Sequence, residues 1–470
     1  MDNYSKIVLY DENENRYEIE DSGKIGEGAQ GAVYRTKKKN ILLKLVKKSK
    51  GESLKEKVNK IKSLELDKKL NFAIPLLNLK IKSDECEGYI MLMMEDMEPI
   101  SKLLKTSFET FEKLKEWYKE TGGIKRRIEI LKKIAYNLYQ LHSKGLVYGD
   151  ISPNNIFISS ERENSEAWFI DCDNIDFHYN VDYTIGTSGF CAPEIRKTLP
   201  PYNDGKKVNT IENDIYAFAN LAYILLFLAD PFKGSILEAS VDEEDNWDDD
   251  ENDDWIDGEE DSEKKFDYGE VSWIGEGDES NKPIYGLSQI MNKIIPENLK
   301  KLFNRTLGKN GRKNPEKRVS LRVWYEELVN FSNVLNTSQC DCGYSYFDIE
   351  NRCKNCEKRS ELLLLEVEYK NGKKGKTIVK NYHKKKDIKI FKNDLGIGTF
   401  DEKSDEIFSL IKLNGKFYLK NSTREKISFK EKIGEEEFEL ELSGHAKENV
   451  VGFLNLIIEL EEMTINIKGV

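Results

Sequence analysis

A carboxylate and an amide lie five residues apart in a short loop-like segment, residues 149–155. Asp150 and Asn155 stand between a helical pattern and an apolar strand, and the segment contains a proline. An aspartate in such a loop can orient a hydroxyl group and accept its proton. The asparagine offers a neutral oxygen to a divalent cation. Asp171 ends a second apolar strand, so one strand–turn–strand unit would bring Asp150, Asn155 and Asp171 together.

A glycine-rich turn near the start of the chain has the composition of a phosphate-binding loop. Gly26, Gly28 and Gly31 follow the pattern G-x-G-x-x-G, and Val33 comes just after it. Glycines let backbone amides approach phosphates without an intervening Cβ, although ordinary hairpin turns also show this pattern. Lys44 follows within an apolar strand. A buried ammonium there needs an anionic partner such as a pair of phosphates, unless the lysine faces solvent.

Four cysteines form two close pairs late in the chain, Cys340 with Cys342 and Cys353 with Cys356. Two short knuckles of this kind suit a closed, tetrahedral zinc site with a structural role. A set of reduced surface cysteines is the alternative. The spacing is typical of metal binding rather than of a disulfide framework, which favours an intracellular, cytoplasmic protein.

Hydrophobic periodicity indicates the elements that would position these groups. Strands are expected between residues 5 and 46 and at 88–94, with a helix at 54–70 that carries Leu54, Val58 and Ile61 on one face. The later pattern is helical, at 124–142, 213–228, 299–307 and 321–335. The sequence therefore predicts an α+β architecture in which a small strand-rich lobe precedes a larger helical lobe.

The character of the chain changes after residue 335. Residues 336–360 hold the cysteines, and residues 361–470 are rich in lysine and glutamate with short strand-like runs. These runs are expected at 362–367, 388–391, 407–413, 417–419, 438–442 and 453–458. Short strands separated by polar turns favour a small β-sandwich or barrel.

The ordered motifs resemble the protein kinase family. The glycine loop, Lys44, Asp150, Asn155 and Asp171 occur in the kinase order at kinase-like spacings. The segment 186–194 looks like the end of an activation segment, and 214–219 resembles the start of the central helix of the large lobe. Arg318 stands where the family places the partner of the Glu194 carboxylate. The resemblance covers about residues 18–335 of the chain.

This resemblance implies a bilobal protein kinase domain over residues 1–335, followed by a zinc ribbon at 336–360 and a β-rich domain at 361–470. Small bacterial kinases that are similar to this chain often carry a zinc ribbon at this point. The last segment vaguely resembles forkhead-associated domains, and we expect it to recognise a phosphopeptide or another protein ligand.

The resemblance also implies a role for each site residue. Gly26, Gly28 and Gly31 would cover the phosphates of ATP, and Val33 would line the same nucleotide site. Lys44 would hold the α- and β-phosphates. Asp150 would be the catalytic base, and Asn155 and Asp171 would bind Mg²⁺ or Mn²⁺. The hinge that faces the adenine would run from Glu95 to Met97, after Met94 as gatekeeper.

Three positions depart from the family pattern. The usual His-Arg-Asp is Tyr148-Gly149-Asp150, so the arginine that receives an activation-loop phosphate is missing. We therefore expect activity that is not gated by that phosphorylation. Ser152 replaces a lysine that contacts the γ-phosphate in serine/threonine kinases, and the usual Asp-Phe-Gly is Asp171-Cys172-Asp173. The helix glutamate that should pair with Lys44 stays open between Glu56 and Glu65.

The expected function is ATP-dependent transfer of the γ-phosphoryl group to serine or threonine hydroxyls of protein substrates. A pseudokinase that binds nucleotide as a switch or scaffold is the alternative. A small-molecule phosphotransferase also uses a loop aspartate and an asparagine five residues on. The Ala192-Pro193-Glu194 tripeptide and Arg318 favour a protein substrate.

The net charge of −12 comes largely from one segment, residues 242–263, which contains 15 acidic residues and no lysine or arginine. Such a block usually stays solvated. It argues against nucleic-acid binding, and with Trp247 and Trp255 it would suit a basic partner. The first 16 residues are polar, and the longest apolar run, 217–229, is shorter than the roughly 20 residues that span a bilayer, so we expect no membrane association.

Overall fold

The computed structural model describes residues 8–27, 31–48, 53–67, 69–82, 85–104, 108–178, 186–187, 189–200, 202–203, 208–235, 265, 268–277, 281–283, 286–373, 375–381, 387–397, 405–454 and 456–469. The predicted acidic insert, 242–263, lies outside these ranges. The chain divides into two compact units. The first comprises Met1–Leu114, Glu129–Ser288 and Glu297–Tyr325, and the second comprises Lys115–Ile128, Gln289–Pro296 and Glu326–Val470.

Six antiparallel strands at the start of the first unit close into a barrel in the order β1-β2-β3-β4-β6-β5. They are β1 (Val8–Asp11), β2 (Arg16–Glu27), β3 (Gly31–Thr36), β4 (Ile41–Lys47), β5 (Leu77–Lys80) and β6 (Cys86–Leu92). Successive side chains of a strand point to opposite faces. Leu43 and Ile90 therefore share one hydrophobic cluster with Tyr17 and Ile19, while the other face of the sheet packs against a helix.

This helix, α1 (Leu54–Ser63), buries Leu54, Val58 and Ile61, as the periodicity predicted. The prediction that it extends to residue 70 is wrong. The backbone N–H of Leu64 donates to the Ile61 carbonyl, and Glu65 has a left-handed backbone with a φ of 45°. The left-handed conformation cannot continue an α-helix, so the helix ends at Ser63.

The helices that follow include the four that the pattern predicted. In the described part of the chain, these later helices are α2 (Phe111–Glu120), α3 (Gly123–Ser143), α4 (Pro193–Arg196), α5 (Ile211–Phe227), α6 (Ser288–Ile294), α7 (Glu297–Leu307), α8 (Lys309–Lys313) and α9 (Leu321–Ser338). The four expected from the pattern are α3, α5, α7 and α9. Helix α5 is buried on nearly all sides, which explains its uniformly apolar sequence. Among the described residues, no helix combines the length and the hydropathy needed to cross a membrane.

Two small sheets lie between these helices in the first unit. One has the order β10-β9-β7 and the other pairs β11 with β8. The strands are β7 (Met97–Pro99), β8 (Leu146–Val147), β9 (Ile156–Ser159), β10 (Ala167–Phe169) and β11 (Asp176–Phe177). The antiparallel pairing of β9 and β10 forms the strand–turn–strand unit that the sequence predicted.

The second unit contains ten strands in its described part. They are β12 (Leu362–Tyr369), β13 (Lys376–Asn381), β14 (Asp387–Phe391), β15 (Glu406–Leu413), β16 (Lys416–Asn421), β17 (Ile427–Ile433), β18 (Glu436–Leu442), β19 (Lys447–Val450), β20 (Leu456–Glu459) and β21 (Met463–Gly469). They form a six-stranded sheet, β13-β12-β21-β20-β17-β18, and a four-stranded sheet, β14-β15-β16-β19. One hydrophobic cluster draws on both sheets and includes Leu365, Phe408 and Phe429.

Candidate functional site

Four residues stand in one row across the barrel strands. Gly26 of β2 pairs with Val33 of β3, Val33 pairs with Lys44 of β4, and Lys44 pairs with Tyr89 of β6. Residues that lie directly opposite each other in paired strands share a face of the sheet. The register thus brings together three of the residues that the sequence assigned to nucleotide binding, and it adds Tyr89.

The glycines of the loop differ in what surrounds them. A Cβ on Gly31 would lie only 2.0 Å from the Leu45 carbonyl oxygen, so only glycine fits where β3 meets β4. A Cβ on Gly26 would meet nothing within 4 Å. Gly28 lies outside the described residues.

Asp150 accepts hydrogen bonds on both of its carboxylate oxygens. The Asn155 side-chain amide donates to Oδ2 at 2.8 Å and to the Asp150 carbonyl at 3.0 Å. The Thr187 hydroxyl donates to Oδ1 at 2.7 Å. Burial raises the pKa of Asp150 above its usual value, although these two hydrogen bonds oppose the shift. The aspartate is thus held in one orientation, and the amide nitrogen of Asn155 faces it.

Asp171 follows the strand next to this loop. The backbone N–H of Ile170 donates to the Asn155 carbonyl at 3.0 Å, which ties the two strand ends together. The Tyr148 hydroxyl donates to the Ile170 carbonyl, so this buried tyrosine packs and also fixes the backbone before Asp171. Asp171 itself adopts a left-handed backbone with a φ of 53°.

Lys44 is paired with two aspartates of the segment that begins at Asp171. Its Nζ lies 3.2 Å from Oδ1 of Asp171 and 3.2 and 3.3 Å from the two carboxylate oxygens of Asp173. Burial opposes a charged ammonium, but the charges of Asp173 and Asp171 outweigh it and raise the pKa of Lys44. The buried-cation requirement inferred from the sequence is thus met within the chain.

Neither candidate glutamate pairs with Lys44. Glu56 is exposed on α1, and Glu65 lies beyond the end of this helix. Lys60 of α1 forms an ion pair with the buried Asp176 of β11. The question that the sequence left open between two glutamates is therefore answered by Asp173.

The backbone of the Asp150 loop is anchored by a buried aspartate of α5. Asp214 accepts hydrogen bonds from the backbone N–H groups of Tyr148 and Gly149, each at 2.8 Å. Its Oδ2 also lies 3.0 Å from Nε2 of His142. Arg318 contacts Glu194 with N–O distances of 2.5 and 2.8 Å, in the pairing that the resemblance implied.

The two expected hinge residues, Glu95 and Met97, lie outside the barrel strands. Glu95 is exposed in the connection after β6, with its carboxylate 3.9 Å from Nζ of Lys39. Met97 begins β7 and pairs with Ser159 of β9.

The four cysteines of the second unit converge. The Sγ atoms of Cys340 and Cys356 are 3.7 Å apart, those of Cys342 and Cys353 are 3.8 Å apart, and all four lie within 4.8 Å of one another. A tetrahedral site with Zn–S bonds of about 2.3 Å has sulfur–sulfur edges of about 3.8 Å. The arrangement fits a four-thiolate zinc site.

Four residues of the site were not expected from the sequence: Tyr89, Asp173, Asp176 and Thr187. Asp173 was noted only as a departure from the family motif, in Asp171-Cys172-Asp173. Nothing in the local sequence shows that it folds against Lys44, which lies 129 residues away.

Comparison with known proteins agrees with the geometry. The family model described as "Protein kinase domain" matches residues 19–329, well over half of the chain. The chain is 28% identical over 119 residues to serine/threonine-protein kinase pkn2 of Myxococcus xanthus, covering 24% of this chain and 13% of that protein. It is 36% identical over 89 residues to serine/threonine-protein kinase PknG of Mycolicibacterium smegmatis, covering 19% and 10%.

A longer match is calcium-dependent protein kinase 5 of Plasmodium falciparum, 27% identical over 243 residues, 49% of this chain and 38% of that protein. The matched regions thus span well under half of the length of these relatives. A solved structure, the Toxoplasma gondii specific rhoptry antigen kinase domain, shares 16% identity with a TM-score of 0.44, covering 71% of this chain and 88% of that one. The match of the kinase-domain model over most of the chain shows that this protein belongs to the protein kinase family.

Proposed function

We propose that the chain is an ATP-dependent protein kinase that transfers the γ-phosphoryl group to serine or threonine hydroxyls. The observation that carries this proposal is the convergence of Asp150, Asn155 and Asp171 at two joined strand ends, with Lys44 3.2 Å from Asp171. The arrangement supplies a proton acceptor, cation ligands and a phosphate-binding cation in one place.

In this proposal Asp150 orients the attacking hydroxyl and accepts its proton. Its two oxygens are held by Asn155 and Thr187, so little reorientation is needed when a substrate arrives. The Thr187 hydroxyl, which donates to Oδ1 at 2.7 Å, would act as an orienting donor to this carboxylate.

The oxygen atoms of Asp171 and Asn155 fit a hard divalent cation. The Asp171 side chain is 35% exposed, so its carboxylate is accessible, and the nitrogen of the Asn155 amide is directed to Asp150, which leaves its oxygen for a cation. Magnesium bound there would neutralise phosphate charge. Lys44 would hold the α- and β-phosphates, Gly26, Gly28, Gly31 and Val33 would cover the nucleotide, and Glu95 to Met97 would face the adenine.

The test is incubation with ATP radiolabelled on its γ-phosphate, for the wild type and for Asp150→Asn. We expect transfer to protein by the wild type and a loss of about 10²-fold or more in the variant, because general-base catalysis contributes that much. Binding of ATP and magnesium by both proteins, measured as a thermal shift, shows that the variant is folded. Equal labelling would contradict the proposal, and binding without any transfer would favour the pseudokinase alternative.

We further propose that the cysteine cluster holds a structural zinc ion, and that residues 361–470 form a β-sandwich-like domain that recognises a protein or phosphopeptide. The sulfur geometry and the core shared by the two sheets support these two proposals. The acidic residues 242–263, with their charge, would suit a basic partner or substrate.

A further inference from the structure

Lys44 is shared unequally between two carboxylates. The side chains of Lys44 and Asp173 are only 4% and 5% exposed, whereas that of Asp171 is 35% exposed. The Lys44 ammonium donates hydrogen bonds to both oxygens of Asp173, and it lies 3.2 Å from Oδ1 of Asp171. The buried carboxylate is thus the more enclosed partner of the lysine, and the accessible carboxylate is the one that solvent and ligands can reach.

In protein kinases the lysine of this strand is ordinarily paired with a glutamate of the following helix. Here the buried face of α1 is apolar, with Leu54, Val58 and Ile61. Its Glu56 is exposed, and Glu65 lies past its last residue. The helix therefore supplies no carboxylate to Lys44 in the part of the chain that the structure describes.

The helix instead carries a cation toward the same acidic segment. Lys60 of α1 pairs with Asp176, whose side chain is 2% exposed. Residues 173–176 thus provide one carboxylate to the lysine of β4 and another to the lysine of α1. In the ordinary arrangement the helix contributes the negative charge of an ion pair, whereas here α1 contributes the positive charge and Asp176 the negative one.

We infer that Asp173, and not a glutamate of α1, is the residue that positions Lys44 for the nucleotide, and that it leaves Asp171 available for the cation. This inference rests on the proposed kinase function. A carboxylate that binds a divalent cation has its charge largely neutralised, so Asp171 alone would hold the lysine poorly in the loaded enzyme. Asp173 keeps Lys44 anchored. Because Asp173 belongs to the same segment as Asp171, Lys44 and Asp171 move together.

This pairing makes the anchoring of Lys44 independent of the position of α1. Because the lysine does not depend on a carboxylate of α1, displacement of this helix leaves Lys44 paired. Removal of the Asp173 charge leaves Lys44 with Asp171, and the lysine then competes with the metal for that carboxylate.

The test is a double-mutant cycle with Asp173→Asn, Lys44→Met and the double variant, read by the dissociation constant of ATP with and without magnesium. Asp173→Asn should weaken ATP binding and raise the KM for ATP by about 10- to 100-fold, the range for loss of a hydrogen bond to a charged group. In the Lys44→Met background the same substitution should change ATP binding by less than about twofold, since Asp173 acts through Lys44. Asp173→Glu, which keeps the charge, should recover part of the affinity.

Three controls accompany the cycle. Glu56→Gln and Glu65→Gln should leave ATP binding within about twofold of the wild type, because neither contacts Lys44. Asp11→Asn removes a buried aspartate of barrel strand β1 that accepts a hydrogen bond from Tyr17, and it controls for loss of stability alone. If Asp173→Asn does not fold, urea unfolding of the double variant decides. The double variant should fold and be more stable than Lys44→Met, because Lys44→Met leaves the buried Asp173 carboxylate without the lysine and the double variant removes that charge.

The inference would be overturned by unchanged ATP affinity in folded Asp173→Asn, by an additive effect in the Lys44→Met background, or by a double variant no more stable than Lys44→Met. A loss of ATP affinity in Glu56→Gln or Glu65→Gln would also overturn it. A wild type that transfers phosphate while Asp173→Asn behaves identically refutes only this inference. A wild type that binds no ATP refutes the proposed function, and the inference falls with it.

Discussion

Gly149 occupies the position before the proposed base where protein kinases usually have arginine. Its backbone has a φ of 88°, a left-handed conformation that side chains disfavour. A Cβ on this residue would lie 3.0 Å from both the amide nitrogen and oxygen of Asn209. Glycine in place of arginine therefore suits the local backbone, in which the Gly149 N–H donates to Asp214.

This predicts that Gly149→Ala is destabilising by about 1–2 kcal/mol from the backbone conformation, with a further loss from the contact with Asn209. Thermal denaturation against Gly145→Ala is the measurement. Gly145 also has a positive φ, of 72°, but a Cβ there would meet nothing within 4 Å. An equal loss of stability in the two variants would show that Asn209 does not constrain the position.

At this scale the sequence predicted part of the site. The residue types and spacings of Asp150, Asn155 and Asp171 were enough to place them at neighbouring strand ends, because the strands between them are short and apolar. The partner of Lys44 could not be predicted, since it depends on how a segment 129 residues later folds onto the barrel.

The cysteine segment is an element that packs directly on helices of its own unit. The Gly343 carbonyl accepts a hydrogen bond from the Ile124 N–H at 3.3 Å, and the Tyr344 hydroxyl donates to the Lys115 carbonyl. The Tyr344 ring stacks on Tyr118 with ring centroids 5.7 Å apart. The first cysteine knuckle is thus built onto the junction of α2 and α3.

Removal of the proposed zinc should therefore loosen this junction as well as the cysteine segment. We expect about one zinc per chain in the purified protein, and faster amide hydrogen exchange at residues 121–124 after chelation, because structural zinc contributes folding free energy. Cys353→Ser should lose the metal, and Cys86→Ser, which lies outside the cluster, should retain it. Unchanged exchange in the metal-free protein would contradict this coupling.

Element ends were harder to predict than element positions. The position of helix α1 was predicted correctly, but the predicted helix was too long. Leucines beyond Ser63 continue the apolar pattern, whereas the backbone becomes left-handed at Glu65. In the second unit, strands β13, β17, β19 and β21 were not predicted. Lysines and glutamates interrupt the apolar pattern in β13, β17 and β19, and the pairing of these strands with their neighbours sets their position.

At the scale of the whole molecule, the division into two units differs from the linear order of segments. The residues predicted as a zinc ribbon and those predicted as a β-rich domain fall in one compact unit with parts of α2, α3, α6 and α9. Hydrophobic periodicity describes local elements and carries no information on which distant segments pack together, so the sequence could not show this.

The absence of the loop arginine also leads to a prediction for the whole enzyme. Treatment of the purified protein with a phosphatase should leave its rate of phosphoryl transfer unchanged within about twofold, because Gly149 offers no cation to an activation-loop phosphate. The rate is compared before and after treatment, with mass spectrometry to confirm removal of phosphate. A large loss of activity would show that another cation has taken this role.

The most direct test of the proposed kinase activity is the fate of the γ-phosphate of radiolabelled ATP. We expect acid-stable phosphoserine or phosphothreonine in protein after incubation with the wild type and magnesium, and at least about 10²-fold less with Asp150→Asn. Label that appears equally with both proteins, or only in small molecules, would contradict the claim that this cluster of carboxylates transfers phosphate to proteins.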